Sequence, residues 1–365
     1  MNYLTINDNN LKYLISNKII EYDDINKSLK IKEYIKILKI SLKDLEILIC
    51  NDIKLHYLNI TQLSNLKELY CPFNKLKELN ITHNYKLKSL ICYNNKLKRL
   101  NLKRNKQLEE LNCYNNELIQ LNTSLNQNIQ KINCGLNNIR QLNILNNKYL
   151  RVLKCPNNDF TELNLETNIN LQKLYCNNNT LQQLNLDKNI KLQILICVYN
   201  NLFNLNLTNN INLEYLNCSN NKLSSLELIN NTNIKHIYCY NNILTSINIS
   251  NNKKLLSLIC YNNCLINLDI TKNINLIELI CNNNKLLELN IDNNINLKLL
   301  YCKYNNITKL SLKNNNILNN LLINPEVILI TEKPNQYIKK IYNNQIMTLQ
   351  EYNIIKNELK NMNII

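Results

Sequence analysis

Residues 66–86 read Leu66-Lys-Glu-Leu69-Tyr-Cys71-Pro-Phe-Asn74-Lys-Leu76-Lys-Glu-Leu79-Asn-Ile81-Thr-His-Asn84-Tyr-Lys86, and the next 21 residues repeat the pattern. Cysteine marks the period, at 50, 71, 92, 113, 134, 155, 176, 197, 218, 239, 260, 281 and 302 without one slip; only Cys264 falls outside the series. Aligned on cysteine, Leu or Ile stands five and two residues before, and further apolar residues stand five, eight and ten after. Asn occupies the third position after cysteine in twelve of thirteen repeats (Ile53 is the exception) and the thirteenth in twelve (Leu63 is the exception). At the tenth position, Thr123 alone breaks a column of Ile and Leu.

A strict period of this kind indicates a solenoid that grows in one direction, so length does not translate into several domains. In Leu69-x-Cys71 and Leu79-x-Ile81 the apolar residues alternate, which points both into a core and the residue between them outward. Each Asn follows where the chain has to turn, and its amide can both donate to and accept from backbone groups that leave the strand ladder. One coil cannot bury its own apolar edge, so stability has to come from stacked neighbours. The expected fold is a mainly β solenoid with short parallel strands on both faces.

The motif Leu66-x-x-Leu69-x-Cys71-x-x-Asn74-x-Leu76 resembles the conserved segment of leucine-rich repeats. Leu76-x-x-Leu79-x-Ile81-x-x-Asn84 is a near copy nested behind it. The chain is similar to the nested 21-residue (IRREKO-like) class, found in bacteria and in mimivirus-like giant DNA viruses, over residues 45 to about 323. That resemblance implies an interaction protein and, together with the residue usage, a giant-virus source. It does not fix a function, because function resides in sites and not in the fold. Asn, Ile, Lys, Leu and Tyr dominate the chain, with one glycine and no tryptophan, as an AT-rich coding sequence would specify.

Three segments are expected: an N-terminal cap or degenerate repeat over 1–44, an array of about thirteen repeats over 45–323, and a C-terminal cap over 324–365. Ile35-x-Ile37 and Ile40-x-Leu42 suit a degenerate first coil. Val327 to Ile330, between Pro325 and Pro334, reads as a short strand. Thr348-Leu-Gln-Glu351 matches a helix capping box, and Leu349, Tyr352, Ile355, Leu359 and Met362 follow at helical spacing. That helix is expected to cover the last coil.

The faces differ in composition. One before, one after and two after each cysteine stand Tyr70, Tyr93, Tyr114, Tyr175, Tyr199, Tyr238, Tyr240, Tyr261, Tyr301 and Tyr304, with Phe73 and only three charges, Asp52, Lys154 and Lys303. The matching positions of the other strand (nine, eleven and twelve after) hold no tyrosine and ten charges, among them Lys103, Arg104, Glu166 and Asp187. Codon bias acts on both faces alike and does not produce this contrast. Aromatic enrichment with charge depletion is the signature of an interface core, although tyrosines on strands also pack on one another between coils. The eleven aromatic residues are therefore the candidate partner-binding set, and a protein is the expected partner.

The net charge of +16 keeps a nucleic-acid-binding solenoid as the alternative, beside a structural role such as a virion component. Lys75, Lys96, Lys98, Arg140 and Lys222 are scattered, however, and form no unbroken basic stripe. No metal site is expected, since zinc ligands come in close pairs converging on a point and a 21-residue ladder does not. The cysteines read as an apolar core column, with disulfides disfavoured by parallel register. His56, His83 and His236 occupy different columns, no catalytic constellation is visible, and neither enzyme activity nor a cofactor is expected. Met1 to Asn17 lacks a continuous apolar run, and no stretch reaches the ~20 apolar residues of a membrane helix. An intracellular monomer (cytoplasmic, or in a virion or host cytoplasm if viral) is the expectation.

Overall fold

The structure is a computed structural model. It describes the backbone of Tyr3–Thr5, Ile20–Asp23 and Ser28–Ile31, and residues 44–330 in full. The chain winds as a parallel β-solenoid. One face is a 15-stranded parallel sheet that starts with Tyr3–Thr5 beside Ile47–Ile49 and continues through one strand per coil to Leu299–Tyr301 and Asn320–Leu322. Register never shifts: Leu153 pairs with Leu174, Leu174 with Leu195 and Leu195 with Leu216. The strands cover the three residues before each cysteine, such as Glu68–Tyr70. The middle leucine points inward, and the cysteine that follows the strand is buried.

Strand pairing on the opposite face is intermittent. Gln120–Asn122 pairs with Gln141–Asn143, and Lys309–Ser311 pairs with Ile328–Ile330. At the N-terminal end, Ser28–Ile31 pairs with Tyr57–Asn59 and runs antiparallel to Ile20–Asp23. Elsewhere on this face, among the described residues, no ladder forms apart from one bridge between Glu227 and Asn248. The expected strand near Val327 is therefore present as Ile328–Ile330, and it carries the coil path past Ile323. The alternations at residues 35–42 and the capping-box helix from Thr348 lie outside the described residues.

The core is a stack of Leu, Ile and Cys columns. Each of the thirteen cysteines of the series is at most 2% exposed. Burying a leucine side chain contributes roughly 2 kcal/mol, and each coil contributes five or six such residues, so the array is held by its seams between coils. Two asparagine ladders close the turns. In the ladder three residues after cysteine, Asn179 Nδ2 donates to the carbonyls of Cys155, Cys176 and Asn177 at 3.2, 3.0 and 3.2 Å, and its Oδ1 accepts from Phe160 N at 3.2 Å. Nearly the same set recurs at Asn95, Asn137 and Asn242. In the ladder thirteen after cysteine, Asn189 Nδ2 donates to Leu165 O and Asn168 O, while its Oδ1 is buried without a partner.

The residue two after each cysteine is a left-handed turn, with φ between 50° and 58° from Asp52 to Tyr304. Asn fills it in eight coils, because its short polar side chain tolerates this region. Phe73, Leu136, Tyr199 and Tyr304 stand there instead. The single glycine has a steric reason: a Cβ on Gly135 would sit 2.7 Å from Pro156 Cδ in the next coil.

Candidate partner-binding face

The sheet places the tyrosine columns on one surface, but with a different frame from the one the sequence suggests. The strand spans the third to the first residue before cysteine, so the third position before cysteine also faces outward. That column adds Tyr215 and His236, and it adds the charges Glu68, Glu110, Lys131, Lys173 and Glu278. With the equivalent column added on the opposite face, the contrast persists: eleven tyrosines and eight charges against one tyrosine (Tyr57) and fifteen charges. The added column was legible in the two-residue alternation; counting outward from cysteine instead of from the strand missed it.

The aromatic residues form two groups. Tyr70, Tyr93, Tyr114 and Tyr175 are half-buried, whereas Phe73 and Tyr199, in the left-handed turn, are 50% and 56% exposed. Phe73 and Tyr93 make an edge-to-face pair at 5.1 Å, and Lys154 Nζ lies 5.1 Å from the Tyr175 ring. Towards the C-terminal end the rings pack more densely. Tyr240 stacks on Tyr261 with centroids 4.6 Å apart, and Tyr215 meets Tyr238 edge-on at 5.4 Å. Tyr238 and Tyr240 are buried, at 3% and 7% exposure, Tyr261 and Tyr301 are intermediate, and Tyr304 is exposed beside Lys303. Ring-on-ring packing between coils thus accounts for part of the tyrosine column, and the open aromatic surface lies in the first half of the array.

Three consecutive coils bury polar residues on the strands of this face, His236, Ser257 and Glu278. Ser257 Oγ donates to Glu278 Oε2 at 2.5 Å, and burial pushes the Glu278 carboxyl above its usual range. Burial, with Lys235 nearby, lowers the His236 pKa to about 4. Among the described residues no three His, Cys, Asp or Glu side chains converge in a way that could hold a metal ion. All fourteen cysteines are free thiols. Burial alone holds Cys50 at a pKa of about 12, and burial likewise dominates at Cys176. A thiol in that state is a core residue and not a nucleophile. No helix among the described residues is long and apolar enough to cross a membrane.

These features define a leucine-rich-repeat solenoid with a 21-residue turn. No family model and no curated protein matches the sequence, whereas solved structures match it over most of its length. The functional domain of InlJ from Listeria monocytogenes, described as including a cysteine ladder, is 31% identical with a TM-score of 0.73; the match covers 80% of this chain and 64% of that one. A leucine-rich-repeat protein of Leptospira interrogans is 25% identical with a TM-score of 0.65, over 73% and 80%. The leucine-rich effector YopM of Yersinia pestis is 24% identical with a TM-score of 0.60 over 77% and 83%, which shows the fold alone. The chain thus spans just under two thirds of the InlJ domain.

Proposed function

We propose that this chain is a non-enzymatic binding scaffold that recognises a protein partner through the tyrosine-bearing Cys face, chiefly over the coils from Cys71 to Cys197. One observation carries the reading: bulky side chains occupy left-handed turn positions and stay largely exposed there. Phe73, Leu136 and Tyr199 stand 40–56% exposed at φ between 52° and 56°, in a column where Asn is the comfortable residue. A bulky residue held in that region costs on the order of 1 kcal/mol, and solvent exposure returns nothing for it. Burial against a partner would. Similarity to leucine-rich-repeat proteins that include an effector and a Listeria domain supports the scaffold reading.

Nucleic acid is the second reading, resting on the net charge of +16. The tyrosines of this face have few cations beside them, Lys154 against Tyr175 and Lys303 against Tyr304, whereas a single-strand groove interleaves the two.

The test is affinity capture with the full chain at moderate salt. Wild type is compared with a variant carrying Tyr93→Ser, Tyr114→Ser, Tyr175→Ser and Tyr199→Ser, and with an opposite-face control carrying Glu166→Ser and Lys188→Ser. A protein partner lost by the first and retained by the second supports the reading. Identical capture by all three, or capture of nucleic acid that falls steeply with salt, overturns it.

A further inference from the structure

The array has a regular way of stacking charge. In the column four before cysteine, Lys67 meets Glu46 at 2.6 Å, Lys88 meets Glu109 at 3.1 Å and Lys235 meets Glu214 at 2.8 Å, each pair joining neighbouring coils. Another column departs from it. Four after cysteine stand Lys54, Lys75 and Lys96, in three consecutive coils and all exposed. The backbone keeps them in step, with Lys75 N donating to Leu55 O at 2.7 Å and Lys96 N to Leu76 O at 2.9 Å. Two residues further on, the exposed Lys77 and Lys98 form a second, shorter row. Among the described residues none of these five lysines is in an ion pair.

Like charges placed opposite one another across a ladder destabilise it, and stacking sets the backbones of each row only about 4.8 Å apart. Residues 75–106 hold ten cations and one carboxylate, Glu78. Over the whole array the cations form no continuous stripe; over these coils they do. Codon usage does not account for the rows, because the same column continues as Glu117, Asn138 and Asp159 in the next three coils. The first coils thus keep a local concentration of positive charge against the pairing habit of the rest of the chain.

We propose that the protein partner of the Cys face is acidic where it meets the first coils, and that the two lysine rows seat its carboxylates beside Phe73 and Tyr93. This inference rests on the reading of that face as a protein-binding surface. Lys75 follows the exposed Phe73 by two residues and Lys96 follows Tyr93 by three, so the rows form a charged rim along the aromatic patch. Protein interfaces are built with such a rim around an apolar centre. Rim charge of one sign steers a partner of the other sign and repels its own kind. Nucleic acid fits this arrangement less well. Among the described residues no lysine of the rows lies over a ring, and Phe73 and Tyr93 pack edge-to-face on each other. A single strand needs cations interleaved with open ring faces. Both rows are lysine throughout, so they lack the guanidinium forks that favour phosphoryl groups. The consequence is polarity. With Lys54, Lys75 and Lys96 at one end and Glu117 and Asp159 further along, the partner is held in one direction on the stack.

Fluorescence-anisotropy titration of the full chain at moderate salt tests it, with a labelled glutamate–tyrosine copolymer as the acidic probe and labelled oligothymidylate as the comparison. Lys54→Glu/Lys75→Glu/Lys96→Glu reverses the longer row. Lys253→Glu/Lys272→Glu/Lys285→Glu changes the net charge equally at a distance. The row variant should bind the copolymer about tenfold more weakly, and the distant variant should stay within about twofold of wild type. Lys54→Gln/Lys75→Gln/Lys96→Gln, the gentler change for folding, should fall between wild type and the reversal. Equal weakening in the reversed and distant variants, or none in the reversed row, overturns the proposal. Oligothymidylate that binds wild type more tightly than the copolymer, and loses its affinity in the row variant, overturns it too. The face is read separately, on a captured protein partner. A partner lost by the four-tyrosine variant, yet bound by the row variant with an unchanged association rate, leaves the binding face standing and removes the acidic partner.

Discussion

The hydroxyl of Thr123 donates to the side-chain carbonyl of Asn147, one coil further on, at 2.6 Å. In the eleven other rungs of that ladder, from Asn84 to Asn315, the Oδ1 is buried with no hydrogen-bond partner. The one residue that interrupts the Ile/Leu column thus supplies the one donor that the ladder otherwise lacks. Thr123 Oγ1 also lies 3.2 Å from Asn143 O. Thr123→Val keeps the shape and removes the donor, so it should lower stability by about 1 kcal/mol. The midpoint of urea unfolding, followed by circular dichroism, checks this; an unchanged midpoint would mean that the hydroxyl contributes nothing.

The two asparagine ladders should differ in what they contribute. Asn179→Ala removes four hydrogen bonds and leaves buried backbone groups unpaired, a loss on the order of 3 kcal/mol. Asn189→Ala removes two bonds and also an orphaned oxygen, and should cost on the order of 1 kcal/mol. The pair is compared by urea denaturation in the same buffer. Equal losses would show that the orphaned oxygens find partners in solution.

Thiol chemistry offers a count. At pH 8 in native buffer, iodoacetamide should modify Cys264, the one cysteine that is not fully buried, and leave the thirteen of the ladder untouched. Intact mass should therefore show one adduct natively and fourteen after denaturation. The sign of the pH effect follows from burial. A thiol of the unfolded chain ionises near about 8.5, whereas Cys50, Cys113, Cys176, Cys218 and Cys302 are held at about 12. Their contribution is complete below the unfolded value and declines as pH rises through the folded one. Thermal stability should fall steeply between pH 9 and 12, and less steeply in Cys176→Ala.

Tyr199→Asn separates folding from recognition. The left-handed turn at φ 53° suits Asn better than Tyr, so the variant should gain about 1 kcal/mol. It should also weaken capture of the partner, because the exposed ring is lost. A variant that is both more stable and fully competent would remove Tyr199 from the recognition surface.

Most of the fold was written in the 21-residue period. Leu69, Cys71 and Asn74 sit where the alternation and the turn demanded, since each is dictated by local backbone geometry and by identical neighbours above and below. The site was half legible. The aromatic asymmetry between faces survives in three dimensions, but its outward frame begins three residues before cysteine, at positions such as Glu68 and Tyr215. The left-handed turn had a signal of its own, the Asn found at 94, 115, 157, 178, 220, 241, 262 and 283. The burial of Tyr238 and Tyr240 goes with their ring neighbours in adjacent coils, Tyr215 and Tyr261.

The unbroken register has a genetic corollary. Every ladder in the stack joins residues 21 apart, or close to it, so a lost or gained codon inside a coil would misalign the Cys column and both Asn columns at once. Removing or duplicating a whole coil, 63 nucleotides in length for 21 residues, keeps every column in register and moves the ends by one step. Lineages of this gene should therefore differ in length by multiples of that unit, with single-codon indels confined to its two extremities.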